Sequence, residues 1–282
     1  MSKREDKQEK ALRARLVCPL QSTGRVGKST ACEAIVSWAK WAGIDHVPID
    51  ADEEHRTLSQ RFAAAKLMAE VTREPSAFKE LVQAVAGVPA PLMVADFPAQ
   101  ATAFLLEQFE ALRALDVLDE AGVKMTVMLF PADDDSAQRS LAAVVRQLGN
   151  RVDYLLVRSP ARYRTEQFDR SRAAERLAAL SVEELYFPAL TRSTIEDVAA
   201  ASRAVGRMLP WAEAMGDLPS ASRFELEGWT NKVRAQCEDA ARILLPDPGL
   251  LKKRVERVAT ADSKTLRETV LHGKDALDPL NF

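Results

Sequence analysis

One stretch near the start of the chain, Leu16-Val-Cys-Pro-Leu-Gln-Ser-Thr-Gly-Arg-Val-Gly-Lys-Ser-Thr30, constrains the fold more than any other. The apolar run Leu16 to Leu20 predicts a strand buried on both faces. A glycine-containing turn follows, and Lys28-Ser29-Thr30 opens an apolar-periodic helix through Ala31, Ile35, Val36, Trp38 and Ala39. Strand, turn and helix in this order aim the turn amides, the free N–H groups of the first helical turn and the positive end of the helix dipole at one point, which suits an anion. Lys28 is placed to reach the β- and γ-phosphates of a nucleotide, and the Ser29 hydroxyl to complete a Mg²⁺ shell. Alone, Gly-Lys-Ser-Thr reads equally as a helix start with a good cap.

Two further segments bear on that choice. Val47-Pro-Ile-Asp-Ala-Asp52 predicts a second short strand, closing a strand–helix–strand unit. Alternation points Asp50 and Asp52 the same way, at the strand end where ligands bind in open parallel sheets. Both also read as turn formers, as the neighbouring Glu53 and Glu54 allow. Pro91-Leu-Met-Val-Ala-Asp96 predicts a third strand ending in one carboxylate, and Pro98 turns the chain away. Asp96 is either a strand-end turn residue or a carboxylate for Mg²⁺ facing the first loop. The three segments in this order favour nucleotide binding.

The loop departs from G-x-x-x-x-G-K-[ST], whose first glycine falls on Ser22. Gly24, Gly27 and Lys28 instead resemble the deviant loop K-G-G-x-G-K-[ST]-[ST] of the ParA/MinD family of P-loop ATPases. The resemblance implies ATP and Mg²⁺ as cofactors. It implies a nucleotide contact along Thr23, Gly24, Arg25, Val26, Gly27, Lys28, Ser29 and Thr30, and Mg²⁺ held near Ser29, Asp50 and Asp96. It also implies that Asp52 orients the attacking water, with residues 54–59 as a first switch loop and the segment after Asp96 as a second. The segment after Leu156-Val157 corresponds to the family's adenine-binding loop, making Arg158 and Pro160 candidate nucleotide contacts. Asn is common there in the family, whereas this chain has Arg158 and Ser159, so the choice of base rests on the resemblance. The cluster Arg158, Arg162, Tyr163 and Arg164 reads as a solvated face, a contact with the base, or a contact with DNA phosphates.

The largest departure is at Thr23, where the family carries the lysine that crosses a dimer interface to the partner's nucleotide. Arg25 replaces the second glycine. Either Arg25 performs the cross-dimer role as an arginine finger does, or the dimer is weakened and hydrolysis is slow or lost. An arginine also tolerates positive φ less well than glycine. Lys28, Asp52 and Arg25 are the expected catalytic residues, with weak ATPase activity.

After the third segment, strand and helix patterns keep alternating: helix 101–121, strand 124–130, helix 136–148, strand 154–157, helix 165–180, a weak strand 184–187 and helix 194–208. Alternation of this kind predicts a doubly wound α/β domain with a mostly parallel sheet over residues 12–210. It is preceded by a charged tail (1–11) and followed by a C-terminal helical extension (211–282). In the extension, Leu226, Trp229, Val233, Cys237, Ala240 and Leu244 form one stripe of a helix over 224–245, expected to pack on the α/β domain. A basic helix from Leu251 carries Lys252, Lys253, Arg254 and Arg257. These read as a solvated face, a partner contact, or a non-specific DNA contact without sequence readout.

The 282 residues are 47% hydrophobic, enough for one sizeable core, and the net charge of −2 requires neither nucleic acid nor an anionic membrane. The three cysteines, Cys18, Cys32 and Cys237, are scattered, which excludes a zinc spacing and suggests a reducing cytoplasm. No run approaches the ~18 apolar residues of a membrane span, and the charged N-terminus lacks the apolar core of a secretory signal. The expected function is therefore a ParA-like ATPase that dimerises with nucleotide. It would hydrolyse ATP slowly under stimulation by a protein partner, and position, partition or mobilise cargo such as plasmid DNA. The alternatives are an ATP-dependent ligase or kinase of the dethiobiotin synthetase or cobyrinate amidase type, and a hydrolysis-deficient nucleotide-binding scaffold. His46, His55 and His272 form no cluster that would build an acceptor pocket and read as surface or strand-end residues.

Overall fold

The computed structural model describes residues 11–159 and 164–251. The apolar runs become strands β1 (Ala14–Pro19), β2 (His46–Asp50), β3 (Lys66–Leu67), β4 (Leu92–Asp96), β5 (Val123–Leu129), β6 (Asp153–Arg158) and β7 (Val182–Tyr186). They form one sheet in the order β3-β2-β4-β1-β5-β6-β7, and every pairing is parallel. β1 is central, and chain order reverses beside it. That reversal is the switch point at which open α/β sheets bind ligands, outside the carboxyl ends of the strands.

The inner strands β1, β4, β5 and β6 are buried on both faces, which is why they carry apolar runs. Leu16 and Cys18 face a core completed by Phe78, Leu105, Leu118 and Leu141, from α3 (Pro75–Gly87), α4 (Thr102–Ala111), α5 (Ala114–Glu120) and α6 (Asp135–Leu148). Val17, Val94 and Leu155 are buried on the opposite face. There α1 (Lys28–Trp41) packs on β4, and α12 (Ala241–Leu244) packs on β1 and β6.

β1 starts two residues before the expected apolar run and takes in a charged residue. Arg15 is buried because its guanidinium ion-pairs with Asp153 of β6 and donates to the carbonyl of Arg242 at 2.9 Å. A buried charge persists only where it is paired and hydrogen-bonded in this way.

The expected helix 101–121 is two helices, α4 and α5, parted at Arg113, which takes left-handed φ of 47°. The expected helix 165–180 is likewise split into α7 (Glu166–Asp169) and α8 (Arg172–Ala178), the second capped by the Ser171 hydroxyl on the Ala174 amide. A helical turn α2 (Thr57–Arg61), β3 and α3 were not anticipated. The second half of the expected first switch loop is the start of α2.

After α9 (Arg192–Ala204), α10 (Trp211–Ala214) and α11 (Ser220–Asp239) continue the chain, and α11 packs on α1, α9 and β7. Its stripe residues Leu226, Trp229, Val233 and Cys237 are all buried. The first compact unit runs past residue 211 to Asp247. The tail before residue 11 and the basic positions Lys252, Lys253, Arg254 and Arg257 lie outside the described residues.

Candidate functional site

The loop from Leu20 to Gly27 is anchored at its entry and open at its exit. Buried Gln21 extends the β1–β5 ladder with its side chain: its amide nitrogen donates to the Phe130 carbonyl at 2.9 Å, and its oxygen accepts from the Phe130 amide at 2.7 Å. The Ser22 amide donates to the Ser140 hydroxyl of α6 at 2.8 Å. The chain then turns through Arg25 (φ 61°) and Gly27 (φ 101°), both in the left-handed region that disfavours a side chain. Gly27 is the N-cap of α1, no side chain caps that helix, and no acidic residue lies in its first turn. The helix therefore presents N-terminal amides that no side-chain cap engages.

Lys28 folds back over this loop and donates from Nζ to the Thr23 carbonyl at 2.5 Å. Burial lowers the pKa of its ammonium group, while the carboxylates of Asp96 and Asp52 and the Cys32 thiol act in the opposite direction. Asp96, at the end of β4, is 1% exposed. Burial pushes its pKa up to about 7, against a hydrogen bond from Ser29 and the pull of Lys28; the nearby Asp50 and Asp52 add to the rise. Its Oδ2 is buried with no hydrogen-bond partner among the described residues.

That orphaned oxygen, beside a serine hydroxyl at the head of α1, is a half-built site for a hard cation. Among the described residues no set of three or more acidic, histidine or cysteine side chains can hold a metal by itself. Mg²⁺ takes one or two protein oxygens and completes its shell with waters and substrate phosphates, and the unpartnered Asp96 oxygen is compatible with that demand. Asp50 is different. Its Oδ1 accepts from the Asp52 amide at 3.2 Å and its Oδ2 from the Ser59 amide at 2.7 Å. The expected metal contact at Asp50 is thus a carboxylate already engaged in holding the 50–59 loop.

Asp52 organises the turn that follows. Its Oδ1 accepts from the amides of Glu54 (3.1 Å) and His55 (3.0 Å), and its Oδ2 lies 3.4 Å from Nδ1 of His55. Asp52 and His55 both line a cleft of about 670 Å³ whose lining also includes Gly24, Arg25, Lys28, Ser29 and Phe97 to Gln100. His55 was not anticipated here. The available signal was its position three residues after Asp52 within one turn.

On the other side of the loop, Val26, Gly27 and Thr30 line a second cavity of about 170 Å³ whose remaining walls include Ser159, Pro188, Phe187, Trp211 and Trp229. The three aromatic rings stack in series, with centroids 5.6 Å apart from Phe187 to Trp229 and 5.2 Å from Trp229 to Trp211. No charged side chain lines this cavity among the described residues. Arg158 is directed elsewhere: it pairs with Asp169 at 2.8 Å and Glu184 at 3.1 Å and donates to Thr165 at 3.0 Å. The residue of that strand end which lines the cavity is Ser159. Pro160, like Arg162 and Tyr163, lies outside the described residues.

The sequence also concealed the support of the aromatic wall. Glu33, in the buried register of α1, is 1% exposed. It accepts from Arg61 of α2 at 2.8 Å, from the Trp211 amide at 3.0 Å and from Trp211 Nε1 at 2.6 Å. One carboxylate thus ties the helix after the loop, the helix after the 52–56 turn and the start of the C-terminal helices together.

No family model matches the chain, and no curated protein matches it. Among solved structures, a ParA family ATPase from Chlorobium tepidum TLS aligns with a TM-score of 0.43 and 10% identity, over 78% of this chain and 99% of that one. A likeness of that size carries no argument about family or activity. The fold class rests on the parallel sheet and its order, and the chemistry rests on the loop and the cleft.

Proposed function

We propose that this protein is a ParA-like ATPase that binds Mg-ATP in the cleft at the head of α1. The observation that carries the reading is the meeting of three groups: an uncapped helix N-terminus, the Lys28 ammonium group, and Asp96 with one oxygen unpartnered beside Ser29.

Each part has a role on this reading. The amides of the Gly24–Thr30 turn and the dipole of α1 hold the β- and γ-phosphates. Lys28 exchanges the Thr23 carbonyl for phosphate oxygens, a stronger acceptor for a partly desolvated ammonium. The Ser29 hydroxyl and Asp96 hold Mg²⁺, which when bound neutralises charge on the phosphates. Asp50 keeps the 50–59 loop in place. Arg25, held at positive φ on the cleft rim, supplies a cation to the transferring phosphoryl group, in its own site or across a homodimer. The base occupies the aromatic cavity, where the stacked rings of Phe187, Trp229 and Trp211 offer an apolar wall to a planar heterocycle.

Nucleotide-dependent dimerisation, stimulation by a protein partner, non-specific DNA binding and a role in moving cargo such as plasmid DNA belong to the same proposal, and so does a cytoplasmic location. Among the described residues no helix is long and apolar enough to cross a membrane.

The test is calorimetry with Mg-ATP, Mg-GTP and Mg-ADP, joined to light scattering and turnover with and without duplex DNA. Mg-ATP binding that is lost in Lys28→Ala, with ATP-dependent dimers, is the expected result. No heat with any Mg-nucleotide on folded protein removes the reading. Turnover that needs a small acceptor selects the ligase or kinase alternative, and retention without turnover selects the scaffold.

A further inference from the structure

The short helix α2 takes part in two surfaces. Thr57, its first residue, lines the 670 Å³ cleft, whereas Ser59, Gln60 and Arg61 line a separate hollow of about 540 Å³. A second hollow of about 600 Å³ adjoins it, and the two share Gln60 and Arg207. The joint groove is walled by α2, by Lys40 near the end of α1, and by Arg203 in the last turn of α9. Pro48 and Phe62, both buried, and half-buried Met208 give it an apolar lining.

The charge of this groove is one-sided. Lys40, Arg61, Arg203 and Arg207 line it against a single carboxylate, Glu213, in a chain whose net charge is −2. Arg61 is engaged with buried Glu33 at 2.8 Å and with the Leu209 carbonyl at 3.3 Å. Glu213 bridges two of the others, with one oxygen 3.2 Å from Lys40 and the second 2.8 Å from Arg207. The hydrogen bond from Arg207, joined by Lys40, holds its carboxyl below the ordinary pKa, so it is ionised at neutral pH. Arg203 is exposed and makes no ion pair among the described residues. His46, the remaining titratable side chain, has Nδ1 2.7 Å from the Ile44 carbonyl.

We infer that this groove docks an acidic, amphipathic segment of a partner protein, with carboxylates on Lys40, Arg203 and Arg207 and apolar side chains against Pro48, Phe62 and Met208. Glu213 already shows the group that two of these cations accept. Complementary exposed charges of this kind steer encounter and select the partner. Single-stranded nucleic acid fits less well: it needs aromatic rings on which bases stack, and Phe62, the one ring among the described lining residues, is buried. The docking stands without the ATPase reading, but its consequence for turnover rests on it. The Ser59 amide is held by Asp50 Oδ2 at 2.7 Å, so the helix that walls the groove is tied to the 50–59 loop of the cleft. A segment that prefers one state of that loop must bind with a different affinity once nucleotide fixes it, and by reciprocity must alter the nucleotide site. The stimulating partner proposed above thereby gains a surface and a chemistry.

The experiment is fluorescence anisotropy with labelled synthetic peptides in which Glu and Asp alternate with Leu and Phe. The full chain is used as wild type, Arg203→Glu and Glu213→Gln, with and without Mg-ATP, and a single-stranded oligonucleotide of equal charge serves as competitor. Wild type should bind the acidic peptides saturably, more weakly as salt rises, and should not bind their Gln and Asn counterparts. Arg203→Glu should weaken binding at least about fivefold, whereas Glu213→Gln, which releases Lys40 and Arg207, should strengthen it by about as much. Shifts of opposite sign are not what loss of folding produces. Mg-ATP should change the wild-type affinity at least about threefold. Absence of saturable binding, or equal affinity in all three proteins, overturns the inference and leaves the ATPase reading standing. Preference for the oligonucleotide overturns it in favour of a nucleic-acid face. Peptide affinity indifferent to Mg-ATP, in protein that binds Mg-ATP, removes the link to turnover. Peptide binding without any nucleotide binding removes the ATPase reading and keeps the docking.

Discussion

Asp50 and Asp96 stand opposite one another as register partners in the β2–β4 ladder, at the carboxyl edge of the sheet. Asp50 has both oxygens on backbone amides, whereas Asp96 has one with no partner among the described residues. Two carboxylates at the same height on adjacent strands thus divide the work. One is engaged with the loop, and the other keeps an oxygen that no described group contacts.

Asp96 should therefore weigh against stability in the ligand-free protein. Its folded pKa, about 7, lies above the usual carboxylate value, so the native state holds a proton that the unfolded chain releases. Stability is then lost as pH rises from about 4 through about 7. Asp96→Asn removes the buried charge. It should raise the melting temperature at pH 8, change it little at pH 4, and suppress Mg-dependent turnover. An equal effect at both pH values would contradict this.

Arg25 adopts φ of 61°, a conformation that costs an L-residue about 1–2 kcal/mol. Arg25→Gly and Arg25→Ala both lose the guanidinium, so their difference isolates the backbone. Arg25→Gly should be more stable than Arg25→Ala by about 1 kcal/mol in urea titrations. Both should bind ATP while losing turnover and ATP-dependent dimers. Unchanged turnover in Arg25→Ala eliminates the catalytic role.

Glu33 joins α1, α2 and Trp211 from a buried position. Burial raises its pKa, against the opposing effect of Arg61 and of the two Trp211 hydrogen bonds. Removing one member of such a pair leaves the other buried and unpaired, so Glu33→Ala should lose about 3–5 kcal/mol. Glu33→Gln, which can still accept from Trp211, should lose less. Equilibrium unfolding of the two variants measures the gap.

Arg158 serves the fold in this structure. Its partners Asp169 and Glu184 are about half exposed, so Arg158→Ala should lower stability by about 1 kcal/mol and leave ATP affinity within about twofold. A tenfold loss of affinity would return Arg158 to the nucleotide site.

Trp211 and Trp229 line the cavity assigned to the base. ATP should alter tryptophan emission, whereas inorganic triphosphate, which has no base, should not. Equal responses to both would place the base elsewhere.

Much of this could be read along the chain because it is local. The step from β1 through Gly27 to Lys28 depends on a short apolar run, a glycine and a helix start, all adjacent in sequence. The strands ending in Asp50 and Asp96 declared themselves as apolar runs closed by a carboxylate. Helix ends were less legible: Arg113 breaks continuous apolar periodicity with left-handed backbone geometry that no pattern marks, and Ser171 does so as a side-chain cap.

What the sequence determined is the alternation of strand and helix, and with it the parallel sheet and the placing of the Gly24–Lys28 loop at its switch point, because periodicity and turn chemistry act over a few residues. The tertiary structure decided how each charge is used. Asp50 holds a loop, Asp96 keeps an open oxygen, Asp52 turns to His55, Arg158 turns to Glu184, and Glu33 reaches Trp211. Those outcomes depend on which groups folding brings within about 3 Å of each other and which it removes from water, and neither is written in the spacing of residues along a chain.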